Sequence, residues 1–228
     1  MLKKRKLIII GDSAFAEVAY ECFIHDSDYE VIGFTVESKY LKKDSLFGLP
    51  IVPFENLEKY HSPDEVYFYC AIVYTQLNRL RTRFYLEAKS KGYRPASYIS
   101  SQAFVWHNVK IGEHCFIFED NTIQPFVEIK NNVVLWSGNH IGHHSVILDN
   151  CFFSSHAVVS GFCSVGKNCF IGVNASIANN TTIGDDNLIG AGVTISCNTP
   201  PDSLFKDIQI KPSNVSARRF FKIRDNVL

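Results

Sequence analysis

Residues 141–195 read IGHHSV ILDNCF FSSHAV VSGFCS VGKNCF IGVNAS IANNTT IGDDNL IGAGVT I when broken every six residues, and every block opens on isoleucine, valine or phenylalanine. The phase runs back without a slip through Leu135, Ile129, Ile123, Ile117, Ile111 and Val105 to Ile99, seventeen positions in all. A helix repeats its apolar face about every 3.6 residues and a half-buried strand every 2, so neither makes this pattern. A period of six held over such a length predicts a solenoid of short strands joined by tight turns. Unrelated strands of a sandwich have no reason to keep one phase.

The other positions of the block agree. Glycine follows the apolar residue at 112, 142, 166, 172, 184 and 190, where a tight corner would use its conformational freedom. The fifth position is small at Cys115, Ser145, Cys151, Ala157, Cys163, Cys169, Ala175 and Thr181, which suits a narrow interior. Four of the seven cysteines are thereby read as small buried hydrophobes. No C-x-x-C pair is present, so the set reads as cytoplasmic thiols rather than a zinc ribbon or a disulfide framework.

The chain has 228 residues, enough for two small domains, and balances 23 basic against 23 acidic residues. That balance argues against a general nucleic-acid surface. The basic clusters at residues 1–6, 79–83 and 217–224 read as solvated ends or helix faces. No apolar run approaches the roughly twenty residues of a membrane span, and residues 3–10 are too short for a signal peptide.

Residues 1–98 follow a different grammar. Residues 6–10 form an apolar strand, Gly11-Asp12-Ser13 a turn, and residues 14–23 a helix with Ser13 as its cap. Residues 30–36 and 66–73 read as strands, 77–91 as an amphipathic helix ended by Gly92, and 94–99 as a last strand entering the solenoid. Alternation of strand and helix means a small α/β domain with a parallel sheet. The turn in IIIGDSAFAEV precedes a helix N-terminus, which favours phosphate, but Ser13 and Phe15-Ala16 replace the later glycines of a dinucleotide motif. By itself it fits a structural turn and a phosphate site equally.

Histidines gather in LWSGNHIGHH, as His140, His143 and His144, with His156 shortly after. Imidazole is the side chain best suited to accept a proton near neutral pH. The sequence here is not helical and no Asp, Glu or Cys stands at ligand spacing, so no metal is expected.

The combination of a small α/β domain and six-residue repeats resembles the hexapeptide-repeat sugar acyltransferases related to sialic-acid O-acetyltransferase, including the N-acetyltransferases of nucleotide-linked amino sugars. The motif, aliphatic–Gly–x–x–small–x, is carried by IGHHSV, VGKNCF and IGVNAS, and the resemblance runs from Ile8 to about Pro201. It implies a left-handed parallel β-helix with three blocks per coil, so that residues eighteen apart stack, and a homotrimer. The implied division is 1–98 for a nucleotide-sugar domain, 99–201 for the β-helix and 202–228 for a capping segment with Phe205, Phe220 and Phe221. The resemblance also assigns residues. Gly11 and Ser13 match the family's G-x-S turn, Ala71 and Ile72 the end of its third strand, and Glu37 stands for an acidic pair that contacts the nucleotide. Ile141-Gly142-His143-His144 matches an Ile-x-His-Glu stretch whose histidine is the base, which makes His143 the base and His144 the stand-in for the glutamate that orients it. Glu119 or Asp149 could then supply the missing charge. Gly161, one coil on, would offer its N–H to the thioester oxygen. Gly172 and Val173, with Gly190 and Ala191 stacked on them, would line the pantetheine arm of coenzyme A.

The expected function is acyl transfer, most simply of acetyl, from acyl-CoA to the amino group of a nucleotide-linked amino sugar, in the cytoplasm, for bacterial surface polysaccharide. O-acetylation of a sugar and a non-catalytic nucleotide-sugar-binding trimer are the competing readings. A gamma-class carbonic anhydrase would share the β-helix, but it lacks the α/β domain and needs zinc-ligand spacing that is absent here.

Overall fold

The computed structural model describes residues 5–206 and 211–223. Residues 1–4 and 224 of the first and last basic clusters, and part of the capping segment, therefore lie outside the described residues. Strand β1 (Arg5–Ile10), helix α1 (Ala14–His25), β2 (Tyr29–Val36), β3 (Ser45–Leu46), β4 (Leu49–Pro53), β5 (Val66–Cys70), α2 (Arg79–Ser90) and β6 (Arg94–Pro95) build the first unit. Its sheet has the order β3-β4-β2-β1-β5-β6 and is parallel except for β3 against β4. The β3–β4 hairpin was not visible in the sequence pattern, because its strands are too short to show a period. Apolar runs on β1 and β5 bury both faces of the sheet: α1 covers one with Phe15, Ala19 and Phe23, and α2 the other with Phe84, Tyr85 and Ala88.

From Tyr98 onward the chain winds as two-residue strands, one per block, that form three parallel sheets. The register pairs Ile123 with Ile141, Ile141 with Val159 and Val159 with Ile177, an eighteen-residue coil. The block-opening residues from Ile117 to Ile195 are all buried and fill the interior with the small fifth-position residues. Fully burying one such aliphatic contributes roughly 1.5–3 kcal/mol. The cysteines at 115, 151, 163 and 169 sit there, and burial pushes the Cys115 thiol up to about 12. After Pro201 the phase slips, yet Leu204–Phe205 pairs with Leu188–Ile189 and Phe205 packs on the core, whereas Phe220 and Phe221 are both 72% exposed.

The corner is built differently from the expectation. From Ile111 on, the left-handed residue is the fourth of each block, with φ between 54° and 66° at Asp120, Phe126, Asn132, His144, Asn150, His156, Phe162, Asn168, Asn174, Asn180 and Asp186. Asn and Asp tolerate this region, which explains their frequency there. The second-position glycines serve another end. A Cβ on Gly142 would lie 2.5 Å from the Ser160 carbonyl carbon, and one on Gly166 2.5 Å from the Asp185 nitrogen, so glycine is demanded by contact with the next coil.

One face of the solenoid is apolar outward as well as inward. Tyr98, Phe116, Val134, Phe152 and Phe170, the sixth-position column of that face, pack with α1 through Phe15 and Phe23. At the same junction Arg81 is fully buried. Its guanidinium donates to Asn132 Oδ1 (3.1 Å) and to the carbonyls of Asn150 (3.0 Å) and Cys151 (3.2 Å). The basic run 79–83 is therefore not a solvated face: Arg81 is a tether, and Arg79 and Arg83 form ion pairs with Asp186 and Glu37. His114 is fully buried too; its Nε2 accepts the Cys70 N–H (2.8 Å) and its Nδ1 faces Asn132 Oδ1 (2.9 Å). Burial holds this imidazole down to about 3 from its usual 6.5, so it is neutral in the folded protein.

Two outcomes follow from these contacts. Gly166→Ala should destabilise the protein by about 1–3 kcal/mol, as overpacking does, while Asn174→Gly should cost less than about 0.5 kcal/mol; chemical denaturation of both variants measures the difference. For His114 the unfolded chain takes a proton below about pH 6.5 and the folded chain refuses it until about 3. Its contribution is therefore present above that window and is lost as the pH falls through it. Stability measured at pH 7.5 and 5 should fall less for His114→Gln than for the unaltered protein.

Candidate functional site

His143 is the third and His144 the fourth residue of one block. The left-handed turn at His144 (φ 59°) lies between those at Phe126 and Phe162, one coil before and one after. Bulky residues are unusual in this conformation, which is the ordinary corner of the solenoid. The aromatic column is sealed by stacking: the His144 ring lies 4.6 Å from Phe126 and 4.7 Å from Phe162, at 27° and 16°. Phe162 also meets His143 edge-on at 5.0 Å. The His143 N–H donates to Gln124 Oε1 (2.9 Å), and the two imidazoles face each other Nδ1 to Nδ1 at 3.1 Å. Only one proton fits between them. When His143 donates it, His144 is the neutral acceptor and His143 Nε2 carries a free lone pair.

That nitrogen lies over Gly161. A Cβ on Gly161 would be 2.9 Å from His143 Nε2, so only glycine leaves room for the ring. Third-position N–H groups at other corners are taken by side chains, as Asn131 is by Asp149 and Lys167 by Asp185. No acceptor among the described residues takes the Gly161 N–H, although Asn179 Oδ1 lies 3.1 Å from the same Cβ point. The exposed His143 ring thus covers a buried glycine whose N–H has no acceptor among the described residues.

The expected acid does not join them. Glu119 accepts the Ser137 hydroxyl (2.5 Å) and Asp149 the Asn131 N–H (3.0 Å), both on other corners of the coil. Their spacing from His143, 24 and 6 residues, is a whole number of blocks but not of coils, so stacking cannot bring them there. Gly172-Val173 and Gly190-Ala191 do stack: a Cβ on Gly172 would lie 2.6 Å from the Ala191 nitrogen. Val173 is 44% exposed. This edge is a different one from that of His143 and Gly161. Among the described residues no group of three or more His, Cys, Asp or Glu is placed to hold a metal, and no helix is long and apolar enough to cross a membrane.

Gly11, Ser13, Glu37, Ala71 and Ile72 come together as the lining of one cavity of about 860 Å³ in the first unit. It opens where the carboxyl ends of β1, β2 and β5 meet, with α1 and α2 on opposite faces, the usual place for a ligand on such a sheet. Gly11 has φ +117°, and a Cβ there would lie 3.0 Å from the Ala71 carbonyl oxygen, so no other residue fits. Ser13 takes the cap position of α1, but its hydroxyl makes no capping bond, contrary to expectation. The side chain is exposed and lines the cavity instead. Glu37 is held between Arg83 (3.2 Å) and Lys39 (3.4 Å). Arg83, Lys39, Lys42, Thr75 and Gln76 also line the cavity and had no sequence signal beyond their charge or polarity.

Residues 162–197 match the family model described as bacterial transferase hexapeptide (six repeats). No curated protein sequence matches the chain. Among solved structures the chain is similar to the acetyltransferase domain of PglB from Neisseria gonorrhoeae in complex with acetyl coenzyme A, at 23% identity, 92% of this chain, 100% of that one and a TM-score of 0.80. A histidine-to-asparagine variant of the perosamine N-acetyltransferase of Caulobacter crescentus, in complex with CoA and GDP-perosamine, aligns at 22% identity over 91% of this chain and 97% of that one, with a TM-score of 0.79. PerB from Caulobacter crescentus, also with CoA and GDP-perosamine, gives 22%, 89%, 94% and 0.77. These likenesses establish the fold: a small α/β unit followed by a left-handed parallel β-helix of hexapeptide repeats.

Proposed function

We propose that this protein transfers an acyl group, most simply acetyl, from acyl-CoA to the amino group of a nucleotide-linked amino sugar. The observation that carries the reading is the placement of the His143 ring directly over Gly161, whose N–H has no acceptor among the described residues. Acyl transfer needs both together: a base for the attacking nitrogen and a donor for the oxygen of the tetrahedral intermediate. The cavity lined by Gly11, Ser13, Glu37, Ala71 and Ile72 is read as the place for the nucleotide, with its phosphates toward the N-terminus of α1. The similar solved structures include complexes with acetyl-CoA, CoA and GDP-perosamine, which are ligands of these two classes.

In the proposed reaction the free amine attacks the thioester carbon. His143 Nε2 takes the proton that the nitrogen loses as the C–N bond forms, and the Gly161 N–H donates to the oxyanion. The intermediate then expels the CoA thiolate, which receives the proton from His143. No covalent enzyme intermediate is needed, because holding both substrates at one corner supplies much of the rate. His144 orients His143 as a neutral acceptor. The edge bearing Gly172, Val173, Gly190 and Ala191 is read as the pantetheine groove. Since one chain keeps that edge apart from His143, the complete site is assigned to the seam between copies of a homotrimer. The setting proposed is the bacterial cytoplasm, in the making of surface polysaccharide. No metal takes part in this scheme.

Incubation with acetyl-CoA and UDP-, GDP- and dTDP-linked amino sugars should release thiol and yield one product heavier by one acetyl group. His143→Ala should lower kcat about a hundredfold or more without loss of the assembly. Turnover that survives this substitution unchanged would remove His143 from the reaction.

A further inference from the structure

Three consecutive non-glycine residues between β5 and α2 are left-handed: Gln76, Leu77 and Asn78, with φ of 53°, 49° and 67°. A run of this kind persists only where the surroundings over-determine it. It also shortens the expected helix, which begins at Arg79 rather than at 77. Asn78 occupies the cap position of α2, yet makes no capping bond to its own helix. Its fully buried side chain reaches across to the β-helix instead. There Nδ2 donates to the carbonyls of Asn168 (3.0 Å) and Cys169 (3.2 Å), while Oδ1 accepts from the Arg81 guanidinium of α2 (3.1 Å), itself bonded to the β-helix. Tyr74 lies against Phe152 and Phe170 of the same face, at 5.3 and 4.5 Å. The back of the segment is therefore fastened to the β-helix, while Thr75 and Gln76 line the cavity.

We propose that Asn78 is a positioning residue, a buried latch through which the β-helix holds the 76–78 turn left-handed and so places Thr75 and Gln76 against the bound nucleotide sugar. The inference rests on the reading of the cavity given above. It explains why a polar side chain is buried at this point and why both bonds of its Nδ2 leave its own helix. It also makes the β-helix a part of the sugar site without any direct contact with the ligand.

The test compares Asn78→Ala, which removes both the latch and the tolerance of a left-handed turn, with Asn78→Gly, which removes the latch alone. Asn78→Ala should raise the KM for the nucleotide sugar about tenfold, the usual consequence of losing one or two buried hydrogen bonds. The KM for acyl-CoA and kcat should stay within about twofold, and Asn78→Gly should recover part of the loss. In the ligand-free protein, amide exchange at 78–80 should quicken in Asn78→Ala while residues 99–195 exchange as before. An equal decline of all kinetic constants with a lowered melting temperature would reduce Asn78 to a structural role and overturn the proposal. Unchanged exchange and unchanged KM would overturn it as well. Should the unaltered protein bind no nucleotide-linked sugar by calorimetry, the reading of the cavity falls, and the exchange comparison still decides the latch. If Asn78→Ala does not fold, Asn78→Gly carries the same comparison with a smaller shift.

Discussion

The ladder of backbone hydrogen bonds between coils, eighteen residues apart, is the constraint on which the structure depends. Coils joined this way stand one strand spacing apart, roughly 4.8 Å. Any two residues a coil apart are therefore neighbours whatever their chemistry, and His143 lies over Gly161 for that reason alone. The same spacing forbids a Cβ at Gly142 and Gly166 and lets Phe126, His144 and Phe162 stack as a column. A site on such a scaffold is specified by which residues share a column, and is rigid because the column is.

The α/β unit is fixed to this scaffold by groups that are expensive to bury alone. Among the described residues Arg81 forms no ion pair; carbonyl and amide oxygens of Asn78, Asn132, Asn150, Cys151, Ile72 and Val73 surround its guanidinium. His114 bridges Cys70 and Asn132 as a neutral ring. Asn132 is common to both and continues into a ladder through Asn150 and Asn168, at 2.9 and 3.0 Å. Removal of any one member leaves a buried donor or acceptor unmet, so the junction is held as a unit.

The period of six made the solenoid, its phase and its buried positions legible, since only a repeat can set so many independent residues in step. His143, Gly161 and the five cavity residues were reached through motif resemblance, and the structure brings each set together. What was not legible depends on pairing across long separations. Glu119 and Asp149 were candidates because they are acidic and near in sequence, but column membership, not proximity, decides contact. Arg81 looked like one more cation on a helix, because nothing local says that α2 faces the solenoid. The apolar sixth-position column at 98, 116, 134, 152 and 170 did carry that information, visible once the blocks are read in threes. The left-handed fourth position was likewise written in its Asn and Asp residues and was hidden by the more conspicuous glycines at the second.

The pairing of His143 with a second imidazole in place of a carboxylate bears on the proposed acceptor. A carboxylate partner would offset the charge of the imidazolium formed during attack; His144 offers only a lone pair. A hydroxyl nucleophile gives up its proton as it attacks and needs a base whose cation is well stabilised. An amine becomes cationic on attack and so surrenders its proton to a weaker base. Stacking between Phe126 and Phe162 holds the His144 ring, so in the proposed reaction the orientation of His143 would be kept while the stabilisation of its cation is reduced. Under the proposed reaction, a histidine pair of this kind would suit the amine better than the hydroxyl.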